Sequence, residues 1–491
     1  MALTITLSDG TTTATVSASP YGIRYGGLRL GNAERNRVFS QPWGRGFSPL
    51  AGVTEYNRQC EIDIWIRGTS LDDWGTNYRA LAALLKRTQD YWKTSGERGA
   101  ACLLSVQLDG QTNATTYDVL AGEFDAANVA QPSMQNTAAP YLSNAQLRLT
   151  LKPWGRPAAE LTTTSATLTN GGGTSGGGTT AMSHIITSPA GTQDAPMRVT
   201  WQGGNAGLGY GRVIMGRKTR GTVANFIADF RAETTVSTTG QSTYPGYTVG
   251  LIGAAGYGRT RVVDAAAGNG VFMRYTKLGA AAVPTAQPLM NWGIDSASDF
   301  HGSYRVFLKF STAVNASQIT LSLGYGGDSA TWLASTPPIT GVIVNPETLL
   351  DMGTITIPVQ GIGATVGQAP FWITLLASST SAVSGQISGI DELYLIPSDE
   401  EYLDVRVSAT GGDKIVMDDL SPRPSAYVAD SASLAKRTVD IVQRTPLRAV
   451  PGEDNLWVAL VLSTTGTTAF RLTDNYTLKF DYLPLYDQFA T

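Results

Sequence analysis

The chain has 491 residues, too many for one hydrophobic core, so several domains are expected. Only 15% of residues are charged and 54 are glycine, a composition of turn-rich β domains rather than of a helical enzyme. A formal net charge of −3 argues against nucleic acid as the main partner, because neutralising phosphates takes a basic surface.

Leu3 to Val16 alternates as a hairpin around an Asp9-Gly10 turn. Tyr21 to Pro49 is rich in Gly and Arg, with aromatics at Tyr21, Tyr25, Phe39, Trp43 and Phe47, and reads as a long arm or an irregular loop. From Arg58, the residues Cys60, Ile62, Ile64 and Ile66 fall on one face and Glu61, Asp63, Trp65 and Arg67 on the other. That period of two marks a half-buried strand. A turn at Gly68-Thr69-Ser70 leads into the one long helix the sequence supports, 72–93. Its stripe of Trp74, Tyr78, Leu81, Leu84, Leu85 and Trp92 recurs at helical spacing. Asp72 or Asp73 is placed to cap its first turn, Lys86, Arg87 and Lys93 suit its other end, and Gly96 is a stop. A single helix in so β-rich a chain must lie against a sheet. Strands follow at Ala101–Leu108, Thr115–Phe124 and Ala145–Leu151, the last broken by Lys152-Pro153-Trp154-Gly155-Arg156-Pro157.

Leu161–Thr180 is Thr, Ser and Gly almost throughout and buries too little apolar surface to offset its ordering entropy, so it reads as a tether. From Met182 the pattern is all-β, with strand-like runs such as Met197–Trp201, Tyr304–Phe310, Trp372–Leu376 and Glu392–Ile396 between turn residues. Ser398-Asp399-Glu400-Glu401 closes that block. A last block holds Tyr402–Val407, Lys414–Met417, Leu456–Leu462 and Tyr476–Tyr482. Leu456–Leu462 is the longest apolar run and only strand-sized, far short of the ~18 residues that cross a bilayer. The first residues lack a signal-peptide pattern, and the chain is expected to be soluble and made in the cytoplasm.

Chemistry is scarce. The chain has 2 histidines, His184 and His301, both read as surface or turn residues, so a histidine metal site or a Ser-His-Asp triad has little to draw on. Gly211–Thr219 nearly matches a phosphate-binding loop, but Arg217 spoils the spacing and Val213-Ile214-Met215 reads as a strand. Acid pairs such as Asp418-Asp419 point to opposite faces of a strand and read as solvated. Cys60 and Cys102 lie in apolar runs and read as buried thiols. Trp292, Tyr325 and Trp332, with Trp372, are candidates for stacking on sugar rings, set against the plainer reading of core packing.

The order of parts matters: a hairpin, an arm, a strand leading into one helix, a strand block ending in Leu147-Arg148-Leu149-Thr150-Leu151-Lys152-Pro153-Trp154, then a β-sandwich. This order resembles the distal tail proteins of long-tailed, siphovirus-like bacteriophages. Ser303-Tyr304-Arg305-Val306-Phe307 and Leu393-Tyr394-Leu395-Ile396-Pro397 look like strands of carbohydrate-binding-module-like jelly rolls. The resemblance implies a virion protein of the tail tip or baseplate with no catalytic, cofactor or metal site. It also implies a ring, most simply a hexamer, joined to the tail tube protein, the hub or tape-measure protein and receptor-binding proteins. A jelly-roll or galectin-like outer part would face the host during adsorption and contact its surface glycans, with no nucleic-acid readout and no membrane partner. Trp43, Phe47 and Trp65 are the candidates for ring assembly.

The expected fold is therefore mainly β: an N-terminal β-barrel or sandwich with one flanking α-helix, then a jelly-roll β-sandwich region. The expected division is 1–157 as the ring-forming barrel, 158–181 as linker, 182–400 as jelly roll, and 401–491 as a further β block. That last block is read as a second sandwich, or as completing the jelly roll or the barrel. The alternative function is an extracellular glycan-binding or glycan-degrading protein with accessory sandwiches.

Overall fold

The structure is a computed structural model. It describes residues 3–32, 35–39, 50–55, 57–94, 96, 98–124, 141–157, 161–169, 182–203, 209–220, 229–231, 241–244, 247–251, 256–263, 271–279, 282–294, 301–310, 319–326, 331–340, 348–358, 371–380, 385–421, 424–433, 435–463 and 475–486. The protein is mainly β, with one α-helix among the described residues.

The first ten strands are β1 (Thr4–Ser8), β2 (Thr13–Thr15), β3 (Tyr21–Leu30), β4 (Arg35–Phe39), β5 (Leu50–Glu55), β6 (Arg58–Gly68), β7 (Cys102–Gln107), β8 (Thr115–Phe124), β9 (Tyr141–Leu151) and β10 (Arg156–Pro157). Eight of them curl into a near-closed barrel in the order β2-β1-β7-β8-β9-β6-β3, with β10 on β8. Alternation decides which side faces in: Cys60, Ile62, Ile64 and Ile66 of β6 meet Leu147, Leu149 and Leu151 of β9 in one core. Burial pushes both the Cys60 and the Cys102 thiols up to about 12, so neither is a thiolate at neutral pH.

Helix α1 (Leu71–Lys93) covers the inner face of this sheet with Leu81, Leu84 and Leu85. Leu85 reaches the backbone of β8 because residue 122 is glycine; a Cβ there would come within 2.6 Å of its Cδ2. Three side chains pin the helix: Trp74 Nε1 donates to Ser143 Oγ at 3.0 Å, Trp92 Nε1 to the Val119 carbonyl at 2.7 Å, and Gln89 Nε2 to the Gly122 carbonyl at 3.0 Å. The cap differs from expectation. Ser70, not an aspartate, accepts from the Asp73 N–H, while the Asp73 carboxylate takes the Thr69 N–H in return. Gly96 ends the helix as expected, at φ +93° with its N–H on the Tyr91 carbonyl.

The chain leaves the barrel through a clamp. Burial raises the Asp118 carboxyl, but Lys152 at 2.9 Å and Arg156 at 3.0 Å outweigh it and hold the group below the usual carboxylate range. A carboxyl depressed in the folded state contributes stability above its unfolded pKa and loses it as pH falls through the folded one. Asp118→Asn is therefore expected to lower Tm at pH 7, with the gap from the parent closing below about pH 4. Melting curves of both proteins across that range check this, and a pH-independent gap would show that the charge plays no part.

The next strands are β11 (Thr162–Thr169), β12 (Ser183–Ile186), β13 (Ala195–Gly203) and β14 (Gly209–Arg220). After them come β15 (Asp229–Arg231), β16 (Gln241–Tyr244), β17 (Tyr247–Leu251), β18 (Tyr257–Val263), β19 (Val271–Lys277), β20 (Val283–Ile294), β21 (Gly302–Phe310), β22 (Ile319–Tyr325), β23 (Ala334–Ser335), β24 (Ile339–Thr340), β25 (Thr348–Ile357), β26 (Phe371–Ser379) and β27 (Gly385–Pro397). The last are β28 (Tyr402–Thr410), β29 (Lys414–Asp418), β30 (Ser425–Ala429), β31 (Lys436–Thr438), β32 (Asp440–Arg444), β33 (Arg448–Ala449), β34 (Asp454–Ser463) and β35 (Asn475–Tyr482).

Pairing regroups these strands and corrects the expected division. One sheet runs β11-β35-β13-β29-β30-β31 and a second runs β12-β34-β14-β28-β32. Together they form a sandwich from two distant pieces of chain, 162–220 and 402–482. Residues 158–181 thus include a paired strand, Thr162–Thr169, aligned along Asn475–Tyr482. Residues 401–491 neither stand apart nor complete the barrel; their described contact with it is the bridge Gly155–Tyr486. Strands β15–β27 sit between the two pieces as an inserted sandwich. Its sheets are β18-β19-β27-β21-β25 and β16-β17-β20-β26-β22-β23, with β15 on β27 and β24 on β22.

The two sandwiches share a layer. In β34, Trp457, Ala459 and Val461 pack with the first sandwich, while Leu456, Val458, Leu460 and Leu462 join the core of the insert. A strand covered on both faces has no polar side to show, which is why Leu456–Leu462 reads as one unbroken apolar run. Charges that enter this shared layer are paired: Arg212 grips Asp404 at 2.6 and 2.8 Å beside the Phe307 ring, and Arg305 holds Asp351 at 2.7 Å. Where the chain passes into the insert and back, Arg217 binds Glu401 and Glu400, and Lys218 donates to the His301 carbonyl. The near-match to a phosphate loop at Gly211–Thr219 is simply this strand, β14.

Candidate functional site

Among the described residues no group of three or more His, Cys, Asp or Glu side chains is placed to hold a metal ion. His184 is not a surface or turn residue: it lies half-buried in β12, stacked on Phe480 at 5.6 Å, with Nε2 2.8 Å from Thr164 Oγ1. Burial lowers its pKa, which favours the neutral ring. The features that stand out are surfaces, and there are three.

The first belongs to the barrel. β4 and β5 pair with each other as a two-stranded sheet of their own, Arg35 opposite Glu55 and Val38 opposite Gly52, rising from the β3–β6 pair. A lone two-stranded hairpin is marginal in water and gains stability by packing on something else. Trp43 and Phe47, proposed from sequence for assembly, lie outside the described residues. Trp65 is half-buried on the outer face of β6, with the Arg67 guanidinium 5.4 Å from its ring. Beside it a charged ladder crosses three strands: Arg29 binds Glu61 at 3.0 Å and Asp63 at 3.2 Å, and Arg148 faces Glu61 at 3.6 Å. A shallow cavity of 540 Å³ lies along this face, lined by Glu61, Gln89, Glu123, Arg148 and Thr150 among others.

The second surface carries the sugar-stacking candidates, and it separates them. Trp292 is fully buried between Val249 and Ile373 in the core of the insert, leaving no ring face for a ligand. Tyr325 packs partly buried against the same core. Trp332 is half-exposed over Gly324, where a Cβ would meet its ring at 2.6 Å, and Trp372 lies over Gly293. Backbone bonds hold this corner together, from the Leu333 N–H to the Tyr325 carbonyl at 3.1 Å and from the Gly326 N–H to the Trp372 carbonyl at 3.0 Å. Leu333 stands 85% exposed beside them.

The third surface was not found from sequence. The sheet β11-β35-β13-β29-β30-β31 turns its polar face outward, and register lines the side chains up in rows across the strands. One row runs Thr163, Asp481, Arg198, Asp418; the next runs Ser165, Lys479, Thr200, Val416, Tyr427; a third places Thr477, Gln202 and Lys414 side by side. A cavity of 280 Å³ sits over the middle of this face. The alternation of Met197–Trp201 and Lys414–Met417 marks these positions as outward. Only the pairing of β13 with β35, across 280 residues of chain, brings them together.

No protein-family model matches the chain, and no curated protein does. Among solved structures, the Dit (gp 19.1) protein of phage SPP1, described as a paradigm of hub adsorption apparatus in Gram-positive infecting phages, aligns over 98% of both chains at 7% identity and a TM-score of 0.34. A chain of the phage p2 baseplate in its activated conformation with Sr aligns over 98% of both at 8% identity and 0.24. One from infectious bursal disease virus, Gx strain, aligns over 66% of this chain and 81% of that chain at 10% identity and 0.18. Likenesses of this size do not establish a common fold.

Proposed function

We propose that this chain is a structural component of a phage tail tip, forming a ring that joins the tail tube to the receptor-binding apparatus. The reading rests on the order of parts in the sequence and, in the structure, on the β4–β5 hairpin. That hairpin finds no third strand among the described residues, and a neighbouring copy would supply the surface it lacks. A head-to-tail contact of this kind, hairpin on barrel, closes into a ring if the rotation per copy divides the circle. Six copies are the number the family resemblance suggests. The work is geometric, not catalytic. The outer sandwiches, docked to one another through a shared layer, form a stiff arm that carries receptor-binding proteins or meets host glycans directly.

Full-length protein is expected to give closed rings in native mass spectrometry. A variant with residues 36–54 replaced by a short Gly-Ser link is expected to be monomeric with an unchanged β-rich circular dichroism spectrum. A strict monomer at high concentration, or rings that survive the hairpin's removal, would count against the assembly role.

A further inference from the structure

On the outer face of the seven-stranded sheet, in which β33 also pairs with β13, acids and cations are unequally exposed. Its two acids are sunk and already engaged: Asp418 is held by Arg198 at 2.9 Å, and Asp481 by Lys479 at 2.9 Å and by the Thr163 hydroxyl at 2.7 Å. Their side chains are 8% and 4% exposed, whereas Arg198 and Lys479 are 36% and 45% exposed. Lys414, two strands from Lys479, enters no ion pair among the described residues. The face therefore shows solvent its cations and covers its anions, in a protein whose net charge is −3.

Between the cations lie Thr200, Gln202 and Thr477, which exchange hydrogen bonds with hydroxyls in either direction. Tyr427 lines the cavity, with the Lys436 ammonium 4.3 Å from its ring centroid. Lys479 and Lys414 are separated by two strand spacings and one pleat, on the order of 12 Å between Cα atoms. A single small ion does not span that distance; a chain-like ligand does. One aromatic in the lining, hydroxyl partners and spaced ammonium groups together suit a polymer of sugar rings bearing carboxylates.

We propose that this face binds an acidic polysaccharide of the uronate class. Lys414 and Lys479 pair with successive carboxylates, Thr200, Gln202 and Thr477 bond ring hydroxyls, and Tyr427 lies against a ring face. The proposal rests on the tail-tip reading only for where the polymer is met; binding itself needs no ring.

Titration calorimetry on the full-length protein at low salt, with a galacturonate oligosaccharide and a neutral galactose oligosaccharide, tests it. The acidic chain is expected to bind at least about tenfold more tightly than the neutral one and to weaken as salt rises. Lys414→Glu and Lys479→Glu are each expected to cost at least about tenfold, and Tyr427→Ala to weaken binding of both oligosaccharides. Lys414 is exposed and enters no ion pair among the described residues, so Lys414→Glu should melt as the parent does and keep its native mass. Lys479 holds the sunken Asp481, so Lys479→Gln, which adds no carboxylate beside it, is melted and titrated alongside Lys479→Glu. Unchanged affinity in both charge reversals would overturn the assignment. So would absence of galacturonate binding, whether or not poly(glycerol phosphate) or a single-stranded oligonucleotide binds in its place. Loss of rings with binding intact would instead remove the tail-tip reading and leave this site standing.

Discussion

Leu460→Asp is expected to unfold both outer sandwiches together while the N-terminal barrel stays folded. Leu460 is fully buried, and it sits in β34, the strand whose two faces belong to two cores. Removing a buried leucine costs about 2–5 kcal/mol, and an unpaired carboxylate in an apolar layer adds several more. Set against the ~5–15 kcal/mol that separates a folded domain from its unfolded chain, that is enough to lose the fold. The loss spreads because Val458, Leu460 and Leu462 lie in one cluster with Phe307, Tyr394 and Tyr402, while Trp457 and Ala459 of the same strand hold the first sandwich. A calorimetric scan of the parent should show residues 162–482 melting in a single transition, and proteolysis of the variant should leave no fragment from that region. A protease-resistant, natively folded 229–397 piece would mean that the insert is an independent module seated beside the first sandwich.

That coupling was partly written in the sequence. Seven apolar residues in a row, Leu456–Leu462, form too long an unalternating run for a strand with one wet face, and the shared layer is the reason. The helix was legible for a similar reason: a stripe at spacings of three and four survives whatever it packs against, so only its cap was assigned to the wrong residue. Other features leave no periodic trace. Thr162–Thr169 buries Leu168 and half-buries Ala166 on an edge, so its composition is that of a linker although its backbone is fully paired with β35. The interruption of one sandwich by another depends on which strands meet across some 200 residues, and local pattern carries no such information. Trp292 reads as a ligand platform because an aromatic in a strand reads alike on either face; in the fold it shares the inward face of β20 with Met290 and Ile294. The cationic face was hidden in the same way, since Arg198, Lys414 and Lys479 come from three strands that only the fold brings together.

The second large effect lies at the other end of the chain. Leu84→Asp is expected to unfold the barrel and spare the sandwiches. Leu84 is fully buried in the cluster through which α1 packs on the barrel, chiefly against β6 and β8. The energetic cost is of the same size as for Leu460, a lost leucine of about 2–5 kcal/mol plus an unpaired charge. What confines it is the seam between the units. Past the Asp118 clamp, the described links from barrel to sandwich are the two backbone hydrogen bonds of Gly155 with Tyr486, at 3.0 and 2.7 Å, and no apolar cluster spans both sides. Few contacts crossing a boundary is the condition under which neighbouring units unfold separately. The structure also sets where the surviving fragment begins. Cleavage at Met182 would strip β11 from its sheet, so the stable piece should start before Thr162 and retain it. Limited proteolysis of Leu84→Asp with mass analysis of the fragments measures this directly. A fragment starting at Met182 would mean that β11 adds little to the sandwich, whereas loss of the whole chain would show that Gly155 and Tyr486 join units that stand or fall together.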